Sequence, residues 1–236
     1  SRGASGARSD ALPEAAAVDA LSAQLTAAGH EVITLAPEEL LDRAKLDPAN
    51  VPVAVLLGGE RFADTITEDG DASTALLNYV ERGGSLLVAA DGPTLGRPQR
   101  WTGEEWTTVN AATRRFILAT HLGLLDAGQP LDAAPPADSN FVVADQLTGA
   151  GLPAQVALPA GGATWRPIPG TQDASLSFVP LLTLVDAAGA TYGAGVAEMS
   201  RLDRPESGRV VYVWAPLLAG QPGVELLRAS IGGRVV

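Results

Sequence analysis

The chain has 236 residues, 46% of them hydrophobic, so it is long enough to bury a sizeable core as one large domain. Its net charge of -11, with no cluster of Lys or Arg, argues against nucleic acids and anionic membranes as partners. Cysteine is absent, which excludes disulfides, thiolate catalysis and cysteine-ligated metals. Lys45 is the only lysine and lies in no context typical of Schiff-base or phosphate-loop chemistry.

The N-terminal third begins with a Gly/Ser/Arg-rich stretch over residues 1–12, which predicts a flexible arm. A helix is expected from Pro13, with apolar residues at helical spacing and Gly29 as its C-terminal stop. The pattern then predicts a strand over Glu31–Leu35. A short helix from Pro37 to about Pro48 is expected next, with carboxylates in its first turn.

The central part of the chain predicts a βαβ unit. Two near-continuous apolar runs, Val53–Leu57 and Leu86–Ala90, flank a helix that begins after Asp71 and ends at Gly83. Such runs are typical of parallel strands covered on both faces. We therefore expect a doubly wound α/β sheet, in which ligands bind beyond the carboxyl ends of the strands.

A doubly wound sheet normally opens with a central strand before its first helix. Residues 1–12 contain no apolar run that forms such a strand. The sequence therefore predicts that the first strand is missing from this chain, or that a later strand or a partner replaces it. Because the chain starts at Ser1 without methionine, we expect it to be a piece of a longer protein.

The second half predicts strands and hairpins after a loop over Gly92–Thr102 and a helix from Gly103 to about Thr120. Residues 121–180 form an irregular segment. The predicted strands are Phe141–Val143, Gln155–Leu158, Leu181–Asp186, Tyr192–Met199 and Arg209–Trp214, with hairpins around 186–189 and 203–208 and a closing helix over Val224–Ile231.

These segments resemble the class I glutamine amidotransferase-like superfamily of flavodoxin-like domains. The residues that carry the resemblance are Ala27–Val32, Leu57–Glu60, Leu77–Val88, Pro180–Asp186 and Gly208–Val213. The resemblance implies a single domain over residues 13–236, with a mostly parallel flavodoxin-like sheet, helices on both faces and C-terminal β-hairpins. The C-terminal part of the chain resembles non-enzymatic members found inside larger, often carbohydrate-active or envelope-associated proteins, which favours an extracytoplasmic or cell-envelope location.

The chemistry of the enzymatic members is missing from this chain. The position of their nucleophilic cysteine, by order of elements, is Asp91, and the two histidines, His30 and His121, both precede the final strands. Glutaminase activity is therefore excluded. We expect a catalytically inactive domain without cofactor or metal.

Two loops after the central strands hold the candidate ligand-binding residues, which are Gly58, Gly59, Glu60, Arg61, Asp91, Gly92 and Trp101. The carboxylates of Glu60 and Asp91 accept hydrogen bonds from a sugar or a small polar ligand, and in a hydrolase they would share acid/base work. The simpler interpretation makes Asp91-Gly92-Pro93 a turn and Glu60 a solvated loop residue.

Other residues of chemical interest favour structural roles. Glu68, Asp69, Asp71 and Ser73 match a calcium loop poorly, and a capped helix start explains them better. His121 suits a helix end. Trp101, Trp106 and Trp165 offer faces for sugar stacking but more often anchor loops or cores, and Trp214 is expected in the core.

The sequence therefore predicts an inactive amidotransferase-like domain with a structural or ligand-binding role in a larger protein or assembly. Its expected partners are other domains or an oligomeric partner, and a carbohydrate or small polar ligand. A hydrolase that uses Asp91 and Glu60 is the alternative. A third class, an oligomerisation module, would show an unpaired sheet edge near the missing first strand.

Overall fold

A computed structural model describes residues 15–35, 39–40, 42–57, 61–63, 72–90, 99–101, 106–108, 135–149, 151–159, 168, 170, 174–218 and 226 of the chain. Helices in this part are α1 (Ala15–Ala27), α2 (Ala72–Glu81) and α3 (Asp145–Thr148), with a 3-10 helix over Ala215–Leu218. Its strands are β1 (Val53–Leu57), β2 (Arg61–Ala63), β3 (Ser85–Ala90), β4 (Gln99–Trp101), β5 (Trp106–Thr108), β6 (Asn140–Val143), β7 (Gln155–Ala157), β8 (Leu176–Val185), β9 (Thr191–Arg201) and β10 (Arg209–Trp214). The predicted arm over residues 1–12 lies outside the described residues.

The predicted βαβ unit is confirmed. β1 and β3 are parallel neighbours with α2 between them in sequence, and their register pairs Val53 with Ser85 and Leu57 with Ala89. The helix buries one apolar side, formed by Leu76, Tyr79 and Val80. Gly83 follows the helix at a φ of 100°, a left-handed conformation that suits the predicted glycine stop.

The large sheet is mixed, which corrects the expectation of a mostly parallel sheet. Its strand order is β1-β3-β10-β9-β8-β6-β7. The pairs β1–β3 and β3–β10 are parallel, and the other four pairs in this order are antiparallel. Hairpin connections explain two of these antiparallel pairs, β8–β9 and β9–β10, because strands that follow one another through short turns must reverse direction. The chain is thus α/β, with few helices in the described part.

The antiparallel half of the sheet curls. Phe141 on β6 and Trp214 on β10 have ring centroids 6.3 Å apart, although β9 and β8 lie between their strands in the sheet order. Three strand intervals in a flat sheet would separate them by about 14 Å. Both side chains are fully buried. The curl therefore forms a half-barrel whose inside belongs to the hydrophobic core.

A glycine contact joins the α2–β3 turn to the start of β10. The backbone N–H of Gly208 donates to the carbonyl of Val80 at 2.7 Å. A Cβ on Gly208 would lie 1.8 Å from the carbonyl oxygen of Gly84, and a Cβ on Gly84 would overlap the Tyr79 ring at 2.3 Å. The Tyr79 hydroxyl donates to the carbonyl of Val51 at 2.7 Å, and burial raises the pKa of this phenol. Gly208 must be glycine because two backbones approach each other closely there, and Gly84 must be glycine because the Tyr79 ring lies against it.

Two predicted elements before β1 are wrong. Glu31–Leu35 is not a strand, because none of the described residues forms a ladder with it. The predicted helix from Pro37 to about Pro48 is wrong from residue 42 onwards, where residues 42–50 form turns, whereas Glu39 and Leu40 are in a 3-10 helix and residues 36–38 and 41 lie outside the described residues. The carboxylates of Asp42 and Asp47 accept hydrogen bonds from the backbone N–H groups two residues on, which competes with helix formation.

A small second sheet corrects the interpretation of three segments. β2 lies in the predicted loop after Leu57, β4 in the predicted loop Gly92–Thr102, and β5 inside the predicted helix Gly103–Thr120. β2 pairs with β4 in parallel, and β4 pairs with β5 antiparallel. Trp106, Thr107 and Thr108 are aromatic or β-branched, so they suit a strand that has a partner better than a helix.

The predicted C-terminal strands and both hairpins are confirmed, although β8 and β9 are longer than expected. The segment 121–180, expected to be irregular, contains β6, α3 and β7 in its described part. Across the β9–β10 pair, the guanidinium of Arg209 donates to the carboxylate of Glu198. Leu226 is buried and helical, and the rest of the predicted closing helix lies outside the described residues.

The β8–β9 turn is held by one carboxylate. Asp186 accepts hydrogen bonds from the backbone N–H groups of Ala190, at 2.8 Å, and Ala188, at 2.9 Å. The hydroxyl of Tyr192 donates to its other oxygen at 3.0 Å. The Ala190 N–H above all, together with the Tyr192 hydroxyl and the Ala188 N–H, holds the pKa of Asp186 below its ordinary value.

We expect Tyr192→Phe to raise the pKa of Asp186 towards its ordinary value of about 4, because one donor to the carboxylate is lost. A folded-state pKa below the unfolded one stabilises the fold above the unfolded value, and this contribution is lost as the pH falls through the folded value. Carboxyl-carbon NMR titration measures the shift. Thr191→Ser, at an exposed neighbour, is the control, and an unchanged Asp186 pKa in Tyr192→Phe would contradict the assignment.

Candidate functional site

Three strands end side by side at one edge of the large sheet. We call it the carboxyl edge and define it by Leu57, Ala90 and Trp214, the last residues of β1, β3 and β10. The registers pair Leu57 with Ala89 and Trp214 with Ala90. Ligands of open α/β sheets bind in the crevice beyond such strand ends. The carboxyl edge is therefore the candidate site.

The small sheet is tied to the carboxyl edge by the chain itself. Three residues separate Leu57 from Arg61, so the Cα atoms of these two residues lie within about 15 Å of each other. The chain after β3 returns as β4, which pairs in parallel with β2. The segments that follow β1 and β3 are thus hydrogen-bonded to each other. The carboxyl edge consequently has a small sheet close to it.

Of the candidate ligand-binding residues, the structure describes two, and only by their backbones. Arg61 is the first residue of β2 and Trp101 the last of β4, and the register pairs Arg61 with Gln99 and Ala63 with Trp101. Arg61 and Trp101 therefore lie on adjacent strands, two register positions apart. The other candidates lie outside the described residues: Gly58, Gly59, Glu60, Asp91 and Gly92. Their proposed roles remain predictions.

Some of the remaining residues of chemical interest lie within the described part of the chain, and the others lie outside it. Trp214 is fully buried, which confirms its expected place in the core. Ser85 is buried and begins β3, a placement typical of a structural residue. His30 lies just after α1, and its backbone N–H donates to the backbone carbonyl of Leu25. The others that were considered lie outside the described residues: Glu68, Asp69, Asp71, His121 and Trp165.

The sequence predicted neither the small sheet nor the contribution of β10 to the carboxyl edge. A signal for the sheet was present, since Trp106–Thr108 is an aromatic and β-branched run and is separated from Trp101, the end of β4, by four residues that include Gly103. No comparable signal placed β10 beside β3. That neighbourhood is set by pairing between segments far apart in the chain.

Neither a metal site nor a membrane span is found in the part of the chain that the structure describes. No group of three or more His, Asp or Glu residues among those described could hold a metal ion. The described helices also lack the length and apolar character needed to cross a bilayer.

Comparisons with known proteins add no relative. No family model, no curated protein and no solved structure matches the chain. Function is therefore inferred from the residues and their placement.

Proposed function

We propose that the chain is a non-catalytic, amidotransferase-like domain that binds a carbohydrate or related small polar ligand at the carboxyl edge. The observation that carries the proposal is the parallel pairing of β1 with β3. Because Leu57 and Ala89 are register partners, the segments containing Glu60 and Asp91 leave the sheet from neighbouring points. The two loops lead into β2 and β4. Because β2 and β4 pair with each other, the two loops also end at neighbouring points, which supports their convergence.

The residue types in these loops suit a polyhydroxylated ligand. Carboxylates such as Glu60 and Asp91 accept hydrogen bonds from hydroxyl groups, and Arg61 is a donor with a planar fork of N–H groups. An aromatic ring such as Trp101 offers an apolar face against which a pyranose ring stacks. The ligand that this set favours is therefore uncharged and polar, with several hydroxyl groups.

The non-catalytic part of the proposal follows from what the whole sequence lacks for the family's reaction. The chain has no cysteine to serve as nucleophile. Both of its histidines, His30 and His121, precede the hairpins and the final strand, whereas the enzymatic pattern places a histidine late in the chain. A binding or structural role keeps the fold without that chemistry.

The finer classification also belongs to this proposal. The parallel order β1-β3-β10, with α2 as the crossover between β1 and β3, is compatible with the parallel part of a flavodoxin-like sheet. The antiparallel strands β9, β8, β6 and β7 extend it on the other side. We therefore place the chain with the non-enzymatic, hairpin-bearing members that its sequence resembles.

A saccharide-binding experiment tests the proposal. Wild-type protein is titrated with a panel of mono- and oligosaccharides by calorimetry, and we expect at least one to bind. Asp91→Asn, Glu60→Gln and Trp101→Ala should each weaken that binding by about tenfold or more, since each removes one directed contact. Glu206→Gln, at an exposed position in the β9–β10 turn at the opposite edge, is the matched control and should bind like wild type.

The same panel separates the proposal from the hydrolase alternative. Absence of binding by every saccharide would overturn the ligand class. Turnover of a glycoside by wild-type protein that disappears in Asp91→Asn and Glu60→Gln would replace the binding role by a catalytic one, with the two carboxylates as acid and base.

A further inference from the structure

The outer edge of β1 is open in the described part of the chain. β1 is the terminal strand of the large sheet, and β3 is its one partner among the described residues. The carbonyl of Pro52 accepts a hydrogen bond from the N–H of Ser85, so Pro52 is directed towards β3. Residues of a strand alternate between its two neighbours in a parallel sheet. The N–H and C=O groups of Val53, Val55 and Leu57 therefore point away from β3.

Within β1 itself, the sequence features with which edge strands discourage pairing are missing. Its sequence, Val-Ala-Val-Leu-Leu, holds no charge and no proline, and the register with β3 runs without a bulge. All five side chains are half-buried. An added strand would therefore meet apolar side chains on both faces of the sheet, along with a row of unpaired donors and acceptors.

A second run with strand propensity, Glu31–Leu35, also has no ladder partner in the described part of the chain. Val32, Ile33 and Thr34 are β-branched, and Ile33 is 60% exposed. Leu35 packs against the same hydrophobic core as Ala54 and Val55 of β1, so this run ends against that core. Within the described residues, two runs with strand propensity thus lie near one core without a partner strand on this side.

We propose that the outer edge of β1 binds an extended segment of another polypeptide, which adds a strand of about five apolar residues to the large sheet. Main-chain hydrogen bonds to Val53, Val55 and Leu57 provide affinity, as in other cases of strand addition. Because the chain carries a net charge of -11, the favoured partner strand has basic residues at its ends. The same charge disfavours a second copy of this chain as the occupant. The proposal is independent of the ligand site, since it uses the backbone of β1 and not the loops beyond it.

Amide hydrogen exchange on the unaltered chain is the first test. In the free protein we expect fast exchange at Val53, Val55 and Leu57 and slow exchange at Ala54 and Leu56, whose N–H groups face β3. A peptide of alternating Val and Thr residues with two arginines at each end is the probe, and its binding should slow exchange at the first three positions. The same peptide with glutamates at its ends should bind more weakly, and one with a central proline should not bind.

Val55→Pro is the blocking variant. It removes an N–H group that faces the open edge and leaves the ladder with β3 intact, a position at which edge strands tolerate proline. We expect a loss of peptide affinity of about tenfold or more. Val55→Thr keeps the N–H and the β-branched shape and is the matched control, with affinity near that of wild type.

Four results would overturn the proposal. These are protection of Val53, Val55 and Leu57 in the free chain, a stable dimer of the chain that protects the same three amides without peptide, failure of the arginine-ended peptide to bind at about 1 mM, and equal binding by Val55→Pro and Val55→Thr. The exchange measurement needs no variant, so it decides the matter even if Val55→Pro does not fold.

Discussion

Replacing Gly208 with alanine is expected to lower the free energy of unfolding by about 3 kcal/mol or more. The added Cβ would lie 1.8 Å from the carbonyl oxygen of Gly84 and 2.5 Å from its carbonyl carbon. Both obstacles are backbone atoms, so no side-chain rotation relieves the overlap. The start of β10 must move away from the start of β3, which weakens the hydrogen bond from Gly208 to Val80.

Thermal unfolding measures this effect, and for a chain of this length the melting temperature should fall by about 6–12 °C. Gly149→Ala is the matched control, because Gly149 has a φ of -60° and an added Cβ there meets its nearest atom at an ordinary 3.5 Å. We expect the control to change stability by less than about 0.5 kcal/mol. A melting temperature for Gly208→Ala within 2 °C of wild type, on the scale expected here, would contradict the close backbone contact.

Replacing Trp214 with alanine should cost about 3–5 kcal/mol, the range observed for large aromatic side chains in protein cores. Trp214 is fully buried at the end of β10, and its ring lies 6.3 Å from that of Phe141 at an interplanar angle of 45°. The substitution leaves a cavity between the two ends of the curled half of the sheet. Denaturant unfolding measures the loss, and the variant should begin to unfold at lower denaturant concentration.

A surface control and a double-mutant cycle isolate the ring contact. Leu202→Ala removes an apolar side chain that is 62% exposed and should cost less than about 0.5 kcal/mol. A double-mutant cycle between Trp214→Leu and Phe141→Leu should give a coupling energy of about 0.5–1.5 kcal/mol, as aromatic pairs do. A cost below about 1 kcal/mol for Trp214→Ala would show that β6 and β10 do not pack together.

Strand pairing that is local along the chain was predictable from the sequence. β1 and β3 are near-continuous apolar runs flanking one helical pattern, and β8, β9 and β10 are separated by turns whose residues mark hairpins. A helical crossover makes β1 and β3 parallel neighbours, and short turns make β8, β9 and β10 antiparallel ones. The βαβ unit and the two hairpins were therefore predicted correctly.

Strand pairing and sheet curvature that depend on residues far apart in the chain were not predictable from the sequence. The curl that brings Phe141 to Trp214 has no periodic signature, because the same alternation serves a flat sheet and a curved one. Glu31–Leu35 shows the converse case, since its β-branched residues favour a strand but a strand also needs a neighbour. For the candidate site, the sequence located the carboxyl edge, while the small sheet near it depends on a ladder between β2 and β4 that propensity alone does not specify.

The position of β10 has a consequence for how the polypeptide reaches its native state during synthesis. This strand bonds to β3 on one side and to β9 on the other, yet it leaves the ribosome more than a hundred residues after β3. Until then, the edge of β3 that faces away from β1 lacks the strand with which it pairs in the native sheet. Closure of so long a loop is slow, so the nascent chain has an extended period in which its early strands are open to mispairing.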